Sequence, residues 1–418
     1  MKKTIFLAFL FIIGLILAGV TWASSQNSKS ERAEGQVLVK FKPTLIPQVR
    51  EAIIGSHGGK VIEKIDALGV LTLSVPAGTE DKVVAALSKN PHVEYAEPNY
   101  LAFAVLTPND PYFAPNQWGL ENTAQVIKEQ IGLADADIDA PAAWDVTTGV
   151  TIGGIKIKVA ILDSGIDQNH EDISSKIVAQ RNFTTSSTTD DIYGHGTHVG
   201  GTVAAITNNG VGVAGGCPDC VLMNGKVLGD NGSGAYSWVA GGIIWAADNG
   251  AKVINLSLGG NSPSKTLESA VNYAWSKGAV VVAAAGNCGC QSKIYPAAYK
   301  NVIAVAATNN QDKKASFSSY GAKWVDVAAP GENIFSTFPN HPFVIQTTHG
   351  RSQNYDFASG TSMATPMTSA AAALIWSTPY GTSAQAVRSR LETTAEKIGG
   401  TGTYWSAGRI NAGFAVSP

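Results

Sequence analysis

Residues 359–377, Ser-Gly-Thr-Ser-Met-Ala-Thr-Pro-Met-Thr-Ser-Ala-Ala-Ala-Ala-Leu-Ile-Trp-Ser, constrain this chain more than any other stretch. They open with small residues that permit a tight turn and continue as an uncharged, alanine-rich run. A helix that is apolar all round must be buried on every side. The rest of the chain therefore has to supply a core that wraps it. Pro366 lies early enough to be tolerated in the first helical turn. Ser362 then stands at the helix entry, where unbonded backbone N–H groups point outward. Alone, this pattern reads best as a core helix with a Ser/Thr cap. The serine becomes a nucleophile candidate when a histidine and an aspartate occupy matching positions elsewhere.

The 418 residues, 44% of them hydrophobic, are enough for one large domain and a small one. A net charge of −2 argues against nucleic acid as the main partner. From residue 155 onward, apolar strand candidates at 155–162, 221–228, 251–258, 279–284 and 302–306 alternate with helical segments, two of them near 236–248 and 267–277. That order predicts an α/β domain with a mainly parallel sheet and helices on both faces. Working residues in such sheets gather where the strands end. Upstream, residues 35–103 read strand, helix, two strands, helix, strand, the plan of a small ferredoxin-like α+β domain.

Lys2 and Lys3 precede an apolar run at 5–20 and small residues at 21–23. This predicts an export signal cleaved near Ala23, with an uncleaved anchor as the alternative. A polar linker follows at 24–34. Export makes disulfides permissible for the four cysteines. Cys217 and Cys220 precede one strand candidate, whereas Cys288 and Cys290 follow another. These are opposite ends of a parallel sheet, too far apart for a crosslink or a shared zinc. Local bridges, Cys217–Cys220 and Cys288–Cys290, are expected.

The chemistry-bearing residues stand at strand ends and helix entries. Asp163 follows the strand candidate at 155–162 in Asp-Ser-Gly, His198 lies in Gly-His-Gly-Thr-His-Val-Gly, and Asn287 ends Ala-Ala-Gly-Asn. Singly, each has a bland reading as a capping Asp, a surface His or a turn Asn. Jointly with Ser362 they supply a nucleophile, a base, a carboxylate to orient the base and an amide for an oxyanion. Chain order excludes an α/β-hydrolase esterase, which runs Ser, acid, His with Gly-x-Ser-x-Gly. A non-enzymatic binding protein on the same fold would need one of the four groups to be missing.

Asp163-Ser-Gly, Gly196-Thr-His198-Val, Asn255-Leu-Ser-Leu-Gly, Ala285-Gly-Asn287 and Gly360-Thr-Ser362-Met-Ala-Thr-Pro resemble the motifs of the subtilisin-like serine proteases. The likeness runs from about residue 107 to 415 and is strongest to the thermitase group. It implies Ser362 as nucleophile, His198 as general base, Asp163 as orienter and Asn287 as oxyanion donor. It implies substrate strands at Ser257, Leu258 and Gly259 and at Gly232, Ser233 and Gly234, with Gly286 in the floor of the S1 pocket. It also implies a structural calcium held by Asp110, Asp172, Asn209 and the carbonyls of Ile206, Val211 and Val213, within the roughly 6–8 oxygens calcium prefers. Residues 35–103 resemble the family's inhibitory propeptide.

The expected organisation is a signal at 1–23, a linker at 24–34, a propeptide at 35–105 and a catalytic domain at 106–418. The product would be a secreted, monomeric, self-processed endopeptidase of broad specificity with an apolar P1. Its partners would be peptide or protein substrates and its own propeptide, with neither nucleic acid nor a stable membrane association. The chain departs from the family at Met367, where a packing histidine is usual, at Val199, where thermitase-like members often carry Cys, and in a longer stretch at 338–356 on the leaving-group side.

Overall fold

The computed structural model describes residues 32–100 and 107–418. The expected signal, most of the linker and the cleavage point near Val105 and Leu106 lie outside the described residues. Among the described residues no helix is long and apolar enough to cross a membrane.

The chain divides into two compact units at Phe103 and Ala104. In the first, strand Arg32–Phe41 is central in a four-stranded antiparallel sheet, flanked by Val70–Ser74 and Val93–Tyr100, with Lys60–Ile65 at one edge. Helices Pro47–Ser56 and Glu80–Ser88 supply the other layer. Val37, Val39 and Phe41 are buried and alternate with the more exposed Gln36, Leu38 and Lys40, and they pack with Leu71, Leu73 and Leu87, so a period-2 burial pattern marks the core face of the sheet. This is the expected β-α-β-β-α-β plan.

The second unit is built on a seven-stranded sheet whose neighbouring strands all run parallel. Its order is Val327–Pro330, Ile303–Thr308, Val280–Ala284, Val253–Leu256, Lys158–Asp163, Val221–Lys226 and Ile177–Asn182. Helices Tyr236–Asp248 and Lys265–Ser276 pack with one face in a shared apolar cluster. The opposite cluster contains helix Thr361–Trp376. Every residue of that helix is buried except Ser362 and Trp376. Burying side chains such as Leu374 and Ile375 stabilises the fold by roughly 1.5–3 kcal/mol each, so the helix cannot leave the core cheaply.

Pro366 sits in the second turn of this helix, not the first as expected. Proline has no N–H, so the Ser362 carbonyl loses its helical donor. The Ser257 hydroxyl replaces it, donating to that carbonyl at 2.8 Å. Ser257 in turn accepts from the Asn255 amide, and Ser369 of the helix donates to the Asn255 oxygen. A single polar chain thus fixes the helix against the end of strand Val253–Leu256.

Candidate active site

Asp163 is the last residue of its strand and is fully buried. Its Oδ1 accepts from the Ser164 N–H at 2.7 Å and faces the Nδ1 of His195 at 2.8 Å. His195 is the first residue of helix His195–Ala204, and its side chain stays partly exposed. Close approach of the helix to the strand end depends on Gly196, where a Cβ would lie only 2.1 Å from the Gly165 carbonyl oxygen. Burial lowers the His195 pKa, but the adjoining Asp163 carboxylate outweighs it, and the net shift is upward from the ordinary histidine value.

His198, the residue expected to be the base, is elsewhere. It is one helical turn further in, fully buried, with Nε2 on the Ile334 carbonyl at 3.1 Å and its ring 5.0 Å from that of Phe338. Burial, then the charge of His195, pushes its pKa down to about 3. An imidazole bonded to the Ile334 carbonyl, with Asp163 already engaged by His195, is not placed to serve Asp163. His195 takes the place that the sequence reading gave to His198.

Ser362 is the second residue of its helix. Its hydroxyl donates to the Ser257 carbonyl at 3.1 Å. The Asn287 oxygen accepts from the Thr361 N–H at 2.9 Å and the Thr361 hydroxyl at 3.0 Å, so the amide group is held by its acceptor end and its NH2 is left over. A Cβ at Gly360 would lie 3.4 Å from Asn287 Nδ2 and 3.6 Å from Ser362 N. The space that glycine leaves open therefore adjoins both donors.

Two cavities share Asn287 and Ser362. One, of about 600 Å³, is lined by Leu258, Gly259, Ala284, Gly286, Ile294 and the Cys288–Cys290 bridge, among others. The other, of about 210 Å³, contains His195 and His198 together with Phe338, Ile345, Arg351 and Met363. Ser257, Leu258 and Gly259 directly follow strand Val253–Leu256. Gly232, at φ +76°, packs against the Tyr193 ring, and Ser233 and Gly234 line a separate depression of about 480 Å³. The second expected disulfide, Cys217–Cys220, is also formed.

The six expected calcium ligands converge unequally. Asp110 and Asp172 are buried, and Asp110 Oδ1 has no hydrogen-bond partner. Burial is the main cause of a rise in the Asp172 pKa to about 7, and the charge of Asp110 adds to it. Among the described residues no hydrogen bond reaches the carbonyls of Ile206, Val211 or Val213. Asn209 is the exception, its oxygen accepting from the Val211 N–H at 2.7 Å. Two buried carboxylates, one with an unpartnered oxygen, and three free carbonyls are a donor set that suits a hard cation.

The sequence reading missed Asp191. Fully buried, it accepts from the Ser164 hydroxyl, the N–H groups of Gly194 and Thr197, and the Thr197 hydroxyl, at 2.7–2.8 Å. Ser164, which also accepts from the Gly196 N–H at 2.9 Å, links it to the Asp163 turn. An acidic residue just ahead of a glycine-rich helix start is the signal that could have found it.

A model of the subtilase family matches residues 154–408, and one described as the fervidolysin N-terminal prodomain matches residues 20–99. The chain is 41% identical to the thermophilic serine proteinase of Bacillus sp. (strain AK1) over 392 residues, covering 94% of this chain and 89% of that protein. It is 47% identical to thermitase of Thermoactinomyces vulgaris over 311 residues, covering 74% of this chain and 99% of thermitase. A solved protease of Pseudoalteromonas arctica PAMC 21717 superimposes with a TM-score of 0.64 at 32% identity, covering 74% of this chain and 99% of that one.

Proposed function

Because this chain is a serine protease of the subtilase family, we propose that it cleaves peptide bonds through Ser362, His195 and Asp163. The observation that carries this reading is the His195 Nδ1 to Asp163 Oδ1 contact at 2.8 Å, on a histidine that shares a cleft with Ser362 and Asn287. His195 Nε2 takes the Ser362 proton as Oγ attacks the scissile carbonyl. Asn287 Nδ2 and the Ser362 N–H hold the oxyanion. The C–N bond breaks as His195 gives its proton to the departing amine. Water, deprotonated by His195, then releases the acyl group and restores Ser362.

Substrate backbone pairs with Ser257–Gly259 on one side and Gly232–Gly234 on the other. The cavity beside Gly286 and Ile294 receives an apolar P1 side chain. The enzyme is exported as a proprotein that its prodomain inhibits until self-cleavage near Val105 and Leu106. Calcium, where bound, is held by Asp110, Asp172 and the three free carbonyls, with Asn209 joining once its amide turns over. It ties the 107–112 segment to the 206–213 loop.

Parallel substitutions at the two histidines test the assignment. His195→Ala should abolish hydrolysis of a peptide anilide and block processing, as Ser362→Ala does. His198→Asn should instead lower the melting temperature while leaving a measurable kcat. Full activity in His195→Ala would overturn the triad as drawn.

A further inference from the structure

The cavity on the leaving-group side contains an arginine that the proposed mechanism does not use. Because His195 must hand its proton to the departing amine, the half of the substrate beyond the scissile bond lies on the His195 side of Ser362. The roughly 210 Å³ cavity there is walled by the long 338–356 stretch through Phe338, Ile345 and Arg351.

This stretch is firmly mounted. Its Val344 and Ile345 N–H groups donate to the carbonyls of Ile192 and Tyr193, the residues leading into His195, at 3.0 and 3.1 Å. Asn340 N donates to Asp167 at 2.8 Å, and Phe338 stacks on Phe343 with centroids 5.3 Å apart. Helix Val344–His349 ends at Gly350, whose left-handed φ of +63° turns the chain back and brings Arg351 to the cavity wall.

The charge of Arg351 is unanswered. Among the described arginines of the second unit, Arg388 pairs with Asp326 and Glu392, and Arg409 pairs with Asp312 and Glu396. Arg390 donates to carbonyls near the C-terminus, and Arg181 lies over the Phe183 ring. Arg351 has no carboxylate, carbonyl or ring partner among the described residues, although it is partly buried. A half-desolvated guanidinium beside a peptide-binding cleft is a receptor for a carboxylate.

Building on the proposed hydrolysis, we propose that Arg351 selects substrates with an acidic side chain at one of the first two positions after the scissile bond. The partner is a Glu or Asp side chain of the leaving peptide, met by the guanidinium as an ion pair. No bond is made or broken in this step.

The test uses the processed enzyme and quenched fluorescent peptides that differ only by Glu or Lys at the first, then the second, position after the scissile bond. The Glu to Lys ratio of kcat/KM should be about three- to tenfold at one of them, the range for a partly exposed ion pair. Arg351→Glu should invert that ratio, Arg351→Lys should keep its sign, and molar salt should compress it. A peptide anilide, which has no amino acid after the scissile bond, reports the triad separately. Anilide hydrolysis with the same Glu to Lys ratio in the wild type and in Arg351→Glu would overturn this assignment alone. No anilide hydrolysis by the wild type would overturn the underlying mechanism instead.

Discussion

At Gly360 one hydrogen atom in place of a methyl group keeps the proposed oxyanion site open. The residue has φ 161° and ψ 160°, extended backbone that alanine adopts without strain. Gly360→Ala should therefore fold, with its Cβ in ordinary contact with Asn287 Nδ2 and Ser362 N and filling the space beside both proposed oxyanion donors. A fall in kcat of roughly 100- to 1,000-fold with little change in KM is expected, the size established for losing an oxyanion amide in subtilisin. An unchanged kcat with an intact melting curve would show that the oxyanion lies elsewhere. His195 gives the pH dependence at this scale. Only neutral imidazole accepts the serine proton, and Asp163 favours the charged form. The acid limb of kcat/KM should therefore lie above the ordinary histidine value of about 6.5, and Asp163→Asn should move it down while cutting kcat. The motif Gly-His-Gly-Thr-His made a histidine at this helix entry legible, but not which one. The two are one turn apart, and the fold separates them: the first contacts Asp163, whereas the second bonds the Ile334 carbonyl and packs on the Phe338 ring.

Within the large sheet, the sequence betrayed the central strands and hid the two edge strands. The apolar runs over Lys158–Asp163, Val221–Lys226, Val253–Leu256, Val280–Ala284 and Ile303–Thr308 are inner strands. The two that escaped notice, Ile177–Asn182 and Val327–Pro330, are the outermost. The first carries Gln180, Arg181 and Asn182 and is nowhere fully buried, and the second has only four residues, so neither shows a long β-branched run. The start of helix His195–Ala204 was similarly opaque, because its support comes from Asp191 and Ser164 in separate loops. Asp191→Ala would strand four buried donors. Measured in the inactive Ser362→Ala background, to prevent self-digestion, it should cost roughly 3 kcal/mol or more of stability. Asp191→Asn should cost less, since its oxygen still accepts while its NH2 finds donors opposite. Equal melting temperatures for the two variants and the parent would remove Asp191 from this role.

For the whole molecule, the division into a small α+β unit and a large α/β unit was legible because the hydrophobic period changes between them, from alternation in Val37 and Val39 to continuous runs such as Val280–Ala284. The proposed calcium site was legible only through the family resemblance, since Asp110, Asp172 and the 206–213 loop are far apart in sequence. There the Asp110 charge adds to the effect of burial in raising the Asp172 pKa. The proposed divalent cation would offset that unfavourable charge and bind only the folded state. At free calcium a hundredfold above its dissociation constant, binding adds about 2.7 kcal/mol, which for a domain of this size is roughly 4 °C in melting temperature. In the Ser362→Ala protein, where self-digestion cannot contribute, a calcium-selective chelator should lower the melting temperature by that amount and added calcium should restore it. Asp110→Ala should start from the lower value and respond to neither treatment. Asn209→Ala should weaken the response without abolishing it, because its oxygen is otherwise engaged by Val211. A parent melting curve that ignores both chelator and added calcium, after metal analysis confirms removal, would leave the Asp110–Asp172 pair as a buried acidic contact with no cation to hold.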